Sequence, residues 1–531
     1  MRFFAFALMI FLTIAFSALG YFLGLAWLWG LVLPLPLTLL GIYDLVQDEH
    51  NVLRNYPILG HIRFMAEYVR PQIRQYFVES NTDGKPFDHD VRKIIHKRAR
   101  NIADVKPFGT ELDVYGSEYE WIDHSIVPKA DPDPDKMPRV PIGGPQCSRP
   151  YSASVFNISA MSFGALGPHA IMALNKGAKL GDFAHDTGEG GLSPYHRKHG
   201  GDIIWEIGSG YFGCRNDDGT FDAGMFASQA QADEVKMVEV KLSQGAKPGH
   251  GGLLPAAKVT PEIARTRKVP VWKDCLSPSA HSAFSTPIGL LEFVAEIREL
   301  SGGKPAGFKL CIGHRWEFLA VCKAMLKTGI LPDFIVIDGA EGGTGAAPLE
   351  LSDGLGTPLR EGLLFAHNAL VGAGLRDKIR IGASGKAVTG FKLASNLALG
   401  ADWCNSARGF MFSLGCIQAQ KCHTGRCPTG ITTMDPRRQR SLVVEEKARH
   451  VQRYHYHTVQ ALGVITACAG LDHPAQLQPQ HLCLRVGADE IRTAAEVYDF
   501  LDQGELIAGS DHPTYRRYWE MAQAESFAPL I

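Results

Sequence analysis

The feature that most constrains how this chain can fold is a repetition of short apolar runs, each followed by a glycine-rich loop and a helical pattern. The clearest runs are residues 155–160, 202–207, 236–241, 306–312, 334–338, 378–382 and 402–406, with a weaker eighth at 182–185. Apolar runs of this length read as strands buried on both faces, and helical patterns such as 289–300 and 316–328 lie between them. Strand, crossover helix and strand in this rhythm build a parallel sheet. Around eight such units over roughly 260 residues is the size of a closed (β/α)8 barrel, with a doubly wound open sheet as the alternative. The predicted class is therefore α/β, a (β/α)8 TIM barrel occupying residues 141–470.

Loops after parallel barrel strands form the working face of such a fold. Here they are Met161-Ser162-Phe163-Gly164, Thr187-Gly188-Glu189-Gly190-Gly191, Gln244-Gly245-Ala246-Lys247-Pro248-Gly249, Asp338-Gly339-Ala340-Glu341-Gly342-Gly343-Thr344-Gly345 and Gly382-Ala383-Ser384-Gly385-Lys386. Any one could be a tight turn, but five in register predict backbone amides drawn up to a phosphate-bearing cofactor. Residues 406–409, after the last run, join them. Gly208-Ser209-Gly210-Tyr211-Phe212-Gly213 also fits a dinucleotide fingerprint, yet Asn216-Asp217-Asp218-Gly219 follows where that motif needs a helix. No nicotinamide domain is expected.

Residues 415–430 bring Cys416, Cys422 and Cys427 into one loop with Lys421, His423 and Arg426 interleaved. Thiolates gathered this way are ligands for soft metals or iron–sulfur clusters, and a cluster passes single electrons. Zinc held by the three sulfurs and His423 is a second reading, strained because Cys422 and His423 are adjacent. Small side chains packed under a loop are the third. The chain has 11 cysteines, and the other eight follow no framework spacing, which suits a reducing compartment.

Net charge is −1 and no basic run is interleaved with aromatics, so nucleic acid is excluded as a partner. No charged residue falls between positions 3 and 43. A single helix of that length would reach about 60 Å, twice a bilayer core of about 30 Å. Two transmembrane helices in residues 1–46 are expected instead, turning at 20–24, with Trp27 and Trp29 at an interface and Pro34 and Pro36 kinking the second. Arg2 before them and Arg54, Arg63 and Arg70 after them place both ends, and the rest of the chain, on the cytoplasmic side of the inner membrane. A cleaved signal peptide ending near residues 18–20 is the rival. Residues 47–140 form a connecting region in which 55–78 reads as an amphipathic helix, lying on the membrane or packed as an ordinary surface helix. It ends in a proline-rich linker at 131–141. Residues 471–531 form a C-terminal extension, with a helix expected at 484–501 and a turn at 509–513.

Taken together, Ser159-Ala-Met-Ser-Phe-Gly-Ala-Leu166, the 187–191 loop, Ser209-Gly-Tyr-Phe-Gly213, Gln244-Gly-Ala-Lys-Pro-Gly249, Gly342-Gly-Thr-Gly-Ala346 and the thiol loop resemble, in family order, the FMN-binding synthase domain of glutamate synthases. The resemblance covers about residues 140–440. It implies an FMN barrel beside a [3Fe-4S] cluster, held by the Cys-x5-Cys-x4-Cys spacing that Cys416, Cys422 and Cys427 reproduce. It implies reductive amination of 2-oxoglutarate with ammonia, the electrons passing from cluster to flavin. By the same resemblance, Lys241, Lys247 and Arg267 contact the dianionic substrate and Glu189 stands at the ammonia entrance, a structural cap being its alternative; Lys309, on a strand with apolar neighbours, is a further candidate near the flavin, with an ordinary salt bridge as its alternative. Met161, Ser162, Glu206, Gly342, Gly343, Ser384, Gly385, Ala407 and Arg408 complete the expected cofactor site.

Two departures stand beside that pocket. His250 and Leu253 replace a glutamate and a substrate-contacting amide of the family pattern, and Glu206 replaces a glutamine at the flavin edge. They motivate an alternative on the same barrel, an FMN-dependent amine or amino-acid dehydrogenase or a methylated-amine glutamate transferase. The family's amidotransferase nucleophile, a mature N-terminal cysteine, has no counterpart before Cys147. Ammonia and electrons are expected from outside the chain, the electrons from a ferredoxin or reductase.

Overall fold

In the computed structural model the expected strands close on themselves. The structure describes residues 2–133 and 136–531, so Pro134, one of the linker prolines, lies outside the described residues. The chain divides between Asp90 and Val91 into two compact units.

In the first unit, helix α1 (Phe4–Leu23) is long and apolar enough to cross a membrane. A 3-10 segment, Leu25–Val32, and helix α2 (Pro34–Val46) pass the same test as a pair bent by 46°. The turn falls at Gly24, one end of the expected 20–24 stretch, because α1 runs on to Leu23. Pro34 opens α2 at its first position, where a missing N–H costs nothing. Helix α3 (Gly60–Ile73) continues as a π-helical turn through Val78 within the expected amphipathic 55–78. The fully buried Asp44 of α2 is satisfied within the unit, accepting the Ile58 N–H at 2.8 Å and lying 2.8 Å from His61 Nε2.

The second unit holds the barrel. Its strands are β1 (Phe156–Ile158), β2 (His185–Asp186), β3 (Ile203–Ile207), β4 (Val235–Lys241), β5 (Ala306–Leu310), β6 (Phe334–Asp338), β7 (Arg380–Ser384) and β8 (Trp403–Ser406). All pair in parallel with their sequence neighbours, and β8 closes on β1 through Cys404 beside Phe156. Each expected run thus supplies one strand, the weak eighth becoming β2. Helices α4 (Pro168–Gly181), α5 (Pro261–Arg267), α6 (Pro287–Leu300), α7 (Arg315–Thr328), α8 (Leu359–Gly372), α9 (Gly390–Ala398), α10 (Arg408–Ser413) and α11 (Val444–Cys468) surround them. Their starts are written locally: Thr260, Thr286 and Thr389 each cap a helix by accepting a backbone N–H three residues on.

Two sequence expectations change at the edges. The linker at 131–141 gives way to a strand, Arg139–Ile142, paired antiparallel with Tyr151–Ser154. The helix expected at 484–501 is instead a small antiparallel sheet in which Leu482–Arg485 pairs with Glu120–Ile122 and Ile491–Thr493, followed by one helical turn at Ala494–Val497. A partner more than 300 residues away decided the matter over local spacing.

Helix α4 packs on α11 closely enough that a Cβ on Gly177 would stand 2.4 Å from Val451 Cγ1 and 2.8 Å from the Ala448 carbonyl. Gly177→Ala should therefore destabilise the second unit by about 1–3 kcal/mol, overpacking outweighing the helix propensity gained. Chemical denaturation of the full chain, monitored by barrel tryptophan fluorescence, checks this; unchanged or increased stability contradicts the packing.

Candidate active site at the barrel mouth

Strand β3 carries one charge, Glu206, among apolar residues, and β4 carries Glu239 and Lys241 two residues apart, where strand residues share one face, here the buried interior of the barrel. Glu206 faces Glu239 in register, and Lys309 of β5 faces Lys241. The result is two layers of buried ions stacked in the barrel.

The upper layer is cationic. Lys241 Nζ lies 3.0 Å from Glu189 Oε1. Burial alone would lift the Glu189 carboxyl, but Lys241, with Arg267 and Lys247 beyond it, holds it below the usual carboxylate range. Arg267, the last residue of α5, donates from Nη2 to the Phe163 carbonyl at 3.0 Å and to Ser162 Oγ at 3.3 Å, while its Nε is buried with no hydrogen-bond partner among the described residues. Lys247 is only 2% exposed, and its ammonium meets no partner among the described residues. Burial, partly offset by Glu189, pulls its pKa down. The expected substrate-side residues Glu189, Lys241, Lys247 and Arg267 are thus brought together, three cations around one carboxylate.

The lower layer is anionic. Lys309 is hydrogen-bonded to Glu206 and lies 3.2 Å from Glu239 Oε1, without hydrogen-bond alignment to the latter. Asp186, Glu206 and Glu239 offer carboxylate oxygens all within 4.8 Å of one another. Burial opposes the charge on Lys309, but Glu206, Glu239, Asp186 and Asp338 outweigh it and raise its pKa well above the ordinary value. Glu206, expected at the flavin edge, is hydrogen-bonded to Lys309, the other residue expected near the flavin. Asp186 and Glu239 were missed in the sequence, although the i, i+2 spacing of Glu239 and Lys241 on an apolar strand carried the signal.

Around this mouth the loops approach one another through glycines. A Cβ on Gly245 would stand 1.7 Å from the Gly339 carbonyl, and one on Gly188, at φ +62°, 2.8 Å from the Ser162 nitrogen. After β6, Gly342 N–H closes a turn onto Gly339, and the N–H groups of Gly343, Thr344 and Gly345 make no hydrogen bond among the described residues. A Cβ on Gly343 would meet Arg408 Nη1 at 2.7 Å, and Arg408 Nη2 donates to the Glu341 carbonyl at 2.8 Å. Gly342, Gly343, Gly385, Ala407 and Arg408 thus lie in the loops at one end of β6, β7 and β8. Ser384 lies deeper, 3.3 Å from the hydroxyl of Ser159, and Met161 is buried between the first two loops.

The thiol loop leaves α10 and winds back through left-handed Gly415, Gln418, Gln420 and Gly425. Cys422 Cβ stands 3.7 Å from where a Cβ on Gly345 would be, so this loop abuts the glycine loop after β6. Thr429 and Thr432 outweigh burial and hold Cys427 below the usual thiol range. Lys258, which sequence reasoning missed, is buried beside Cys422 and Cys427 and donates to the Ala165 carbonyl at 3.0 Å. Burial, with Cys422 and Cys427 nearby, pushes the Cys416 thiol up to about 11.

Comparisons with known proteins agree with this architecture. The profile "Conserved region in glutamate synthase" matches residues 139–472. The chain is 37% identical over 516 residues to the glutamate synthase large subunit-like protein YerD of Bacillus subtilis, covering 89% of this chain and 96% of that one. It is 34% identical over 292 residues to the archaeal-type glutamate synthase [NADPH] of Thermotoga neapolitana, covering 55% of this chain and 54% of the relative. Against the glutamate synthase [NADPH] large chain of Bacillus subtilis it is 31% identical over 287 residues, 53% of this chain and 18% of that one. A flavocytochrome b2 mutant with pyruvate bound aligns at 14% identity and TM-score 0.41, over 87% of this chain and 95% of that one, a likeness too distant to add to the assignment. The chain belongs to the glutamate synthase family.

The unpaired Lys247 makes a prediction independent of any redox chemistry. A dicarboxylate should raise the thermal midpoint of the wild-type protein, since a ligand that binds only the folded state stabilises it. Lys247→Met should weaken that binding about tenfold or more while leaving the ligand-free midpoint unchanged or higher, because a desolvated charge has been removed. Thermal shift across a dicarboxylate titration measures both, and a lowered ligand-free midpoint with intact binding contradicts the placement.

Proposed function

We propose that this chain is a glutamate synthase-type oxidoreductase that aminates 2-oxoglutarate reductively to L-glutamate, using FMN and a [3Fe-4S] cluster. The observation that carries the reading is the charge balance of the upper layer: Lys241, Lys247 and Arg267 against Glu189 leave a demand for two negative charges. That is the charge of 2-oxoglutarate. In this reading Lys247 and Arg267 fix the carboxylates and so orient the oxo carbon, while Glu189, kept ionised beside Lys241, holds the incoming ammonium until it yields its proton.

The residues present fit both redox groups. The free amides of 343–345 and the Gly343 cradle that a Cβ would close suit a phosphate, with Arg408 beside it. Met161, Ser162, Gly342, Gly343, Ser384, Gly385, Ala407 and Arg408, together with Lys309, would hold FMN. Cys416, Cys422 and Cys427 would hold the cluster. A zinc tetrahedron would need His423 bound beside its neighbour Cys422, which is strained, whereas three thiolates suffice for a cluster. When bound, the cluster supplies single electrons and FMN the hydride. A ferredoxin or reductase brings the electrons, and ammonia comes from outside the chain. α1 and α2 anchor the protein in the inner membrane with the barrel on the cytoplasmic side.

Full-length protein purified in detergent should form glutamate from 2-oxoglutarate and ammonium with a reduced one-electron donor; a fully flavinated preparation without turnover removes this activity. Cys422→Ser should abolish the iron–sulfur absorbance while flavin remains. Unchanged spectra would dissociate these thiols from a cluster.

A second reading draws on one observation. Leu253 pairs with Leu276, both exposed, where the family carries a substrate-contacting amide. That edge suits an amine with an apolar group, and bleaching of the flavin by a panel of amines and amino acids, without 2-oxoglutarate, would favour it.

A further inference from the structure

Asp186, Glu206 and Glu239 reach the barrel interior from β2, β3 and β4, and Lys309 meets them from β5. All four are at least 96% buried: 1%, 2%, 1% and 4% exposed respectively. Three carboxylates therefore share one ammonium, with Asp338 of β6 adding further negative potential at Lys309. Removing a carboxylate from water costs several kcal/mol unless it is paired, and a protein escapes that cost by protonating the group. Lys309 is committed to Glu206. Asp186 Oδ1 accepts the Gly188 N–H at 2.9 Å, while Glu239 lies 3.2 Å from the shared Lys309 with neither oxygen hydrogen-bonded among the described residues. A buried carboxylate that shares its one cation with two others is the group most in need of a proton.

A divalent cation is the other way to neutralise such a triad. Here the Lys309 ammonium already stands among the oxygens, so a proton rather than a metal supplies the remaining positive charge.

We propose that Asp186 and Glu239 hold a proton between them in the folded barrel at neutral pH, and that this pair takes up a further proton from solvent when negative charge arrives at the mouth above Lys309. They are positioning residues acting through Lys309. Uptake places H⁺ on a carboxylate oxygen and breaks no other bond. The incoming charge is the substrate dianion or, on the flavin reading, electrons from the one-electron donor. The second case rests on that reading; the first does not. In support, burial together with Glu206 raises Asp186 well above the carboxylate range. Burial also lifts Glu239 to about 7, Lys309 opposing.

The sign of the pH dependence follows. A carboxyl whose folded pKa lies above its unfolded value near 4.3 favours folding at low pH and loses that contribution as pH rises through the folded value. The Glu239 contribution to stability should therefore fall as pH rises from about 4 to about 7, and Glu239→Gln should remove that component of the slope. Infrared spectroscopy of the full-length protein is the direct test. Wild type at pH 7 should show a protonated carboxyl C=O band that shifts in D2O and grows on adding reductant or dicarboxylate. Glu239→Gln or Asp186→Asn should diminish it.

A wild-type spectrum with every carboxyl ionised at pH 7 would overturn the proposal and needs no variant to fold. So would a band unaffected by both substitutions, or by both dicarboxylate and reductant. Absence of flavin absorbance in the same sample would refute only the flavin reading, since the pH titration and the dicarboxylate response test the proton without it.

Discussion

The structure depends on two opposite charge imbalances stacked in one barrel. Above, three cations face Glu189; below, three carboxylates face Lys309. Neither layer is neutral by itself, and at this depth an uncompensated charge costs several kcal/mol. On the proposed reading the upper layer resolves its excess by taking an anion, the lower by keeping a proton. Lys241 and Glu239, two residues apart on β4, tie the layers together. Charge delivered to one is therefore felt in the other, a physical coupling that needs no moving part.

What brings this chemistry to one end of the barrel is close approach of backbone. The Gly245 loop after β4 touches the Gly339 loop after β6, the Gly188 loop after β2 touches the Ser162 loop after β1, and the thiol loop abuts Gly345. Side chains at these glycines would push the loops apart and separate the proposed one-electron centre from the proposed cofactor cradle. Lys258, buried between the thiol loop and the Ala165 carbonyl, places a positive charge where thiolates would gather.

The barrel was legible because each strand announced itself twice, as an apolar run and as the glycine loop after it. Even β2, the weakest run, was marked by Thr187-Gly188-Glu189-Gly190-Gly191. The residues of the mouth were legible for the same reason, since they sit on those loops. What local sequence could not supply was pairing at a distance. Leu482–Arg485 became a strand because Glu120–Ile122 lay beside it, and the partnership of Glu206 with Lys309 reaches across β4 between residues 103 positions apart. Glu239 sat among valines and was read as strand rather than site. Lys258 followed Pro255-Ala256-Ala257 in a segment with no period to mark it.

Titration calorimetry of 2-oxoglutarate binding to the full-length protein, repeated near neutral pH in buffers of different ionisation enthalpy, tests the coupled layers most directly. The account predicts saturable binding accompanied by net proton uptake, and an uptake that falls in Glu239→Gln. Binding with proton release, or no binding to protein whose Lys247 is intact, would contradict it.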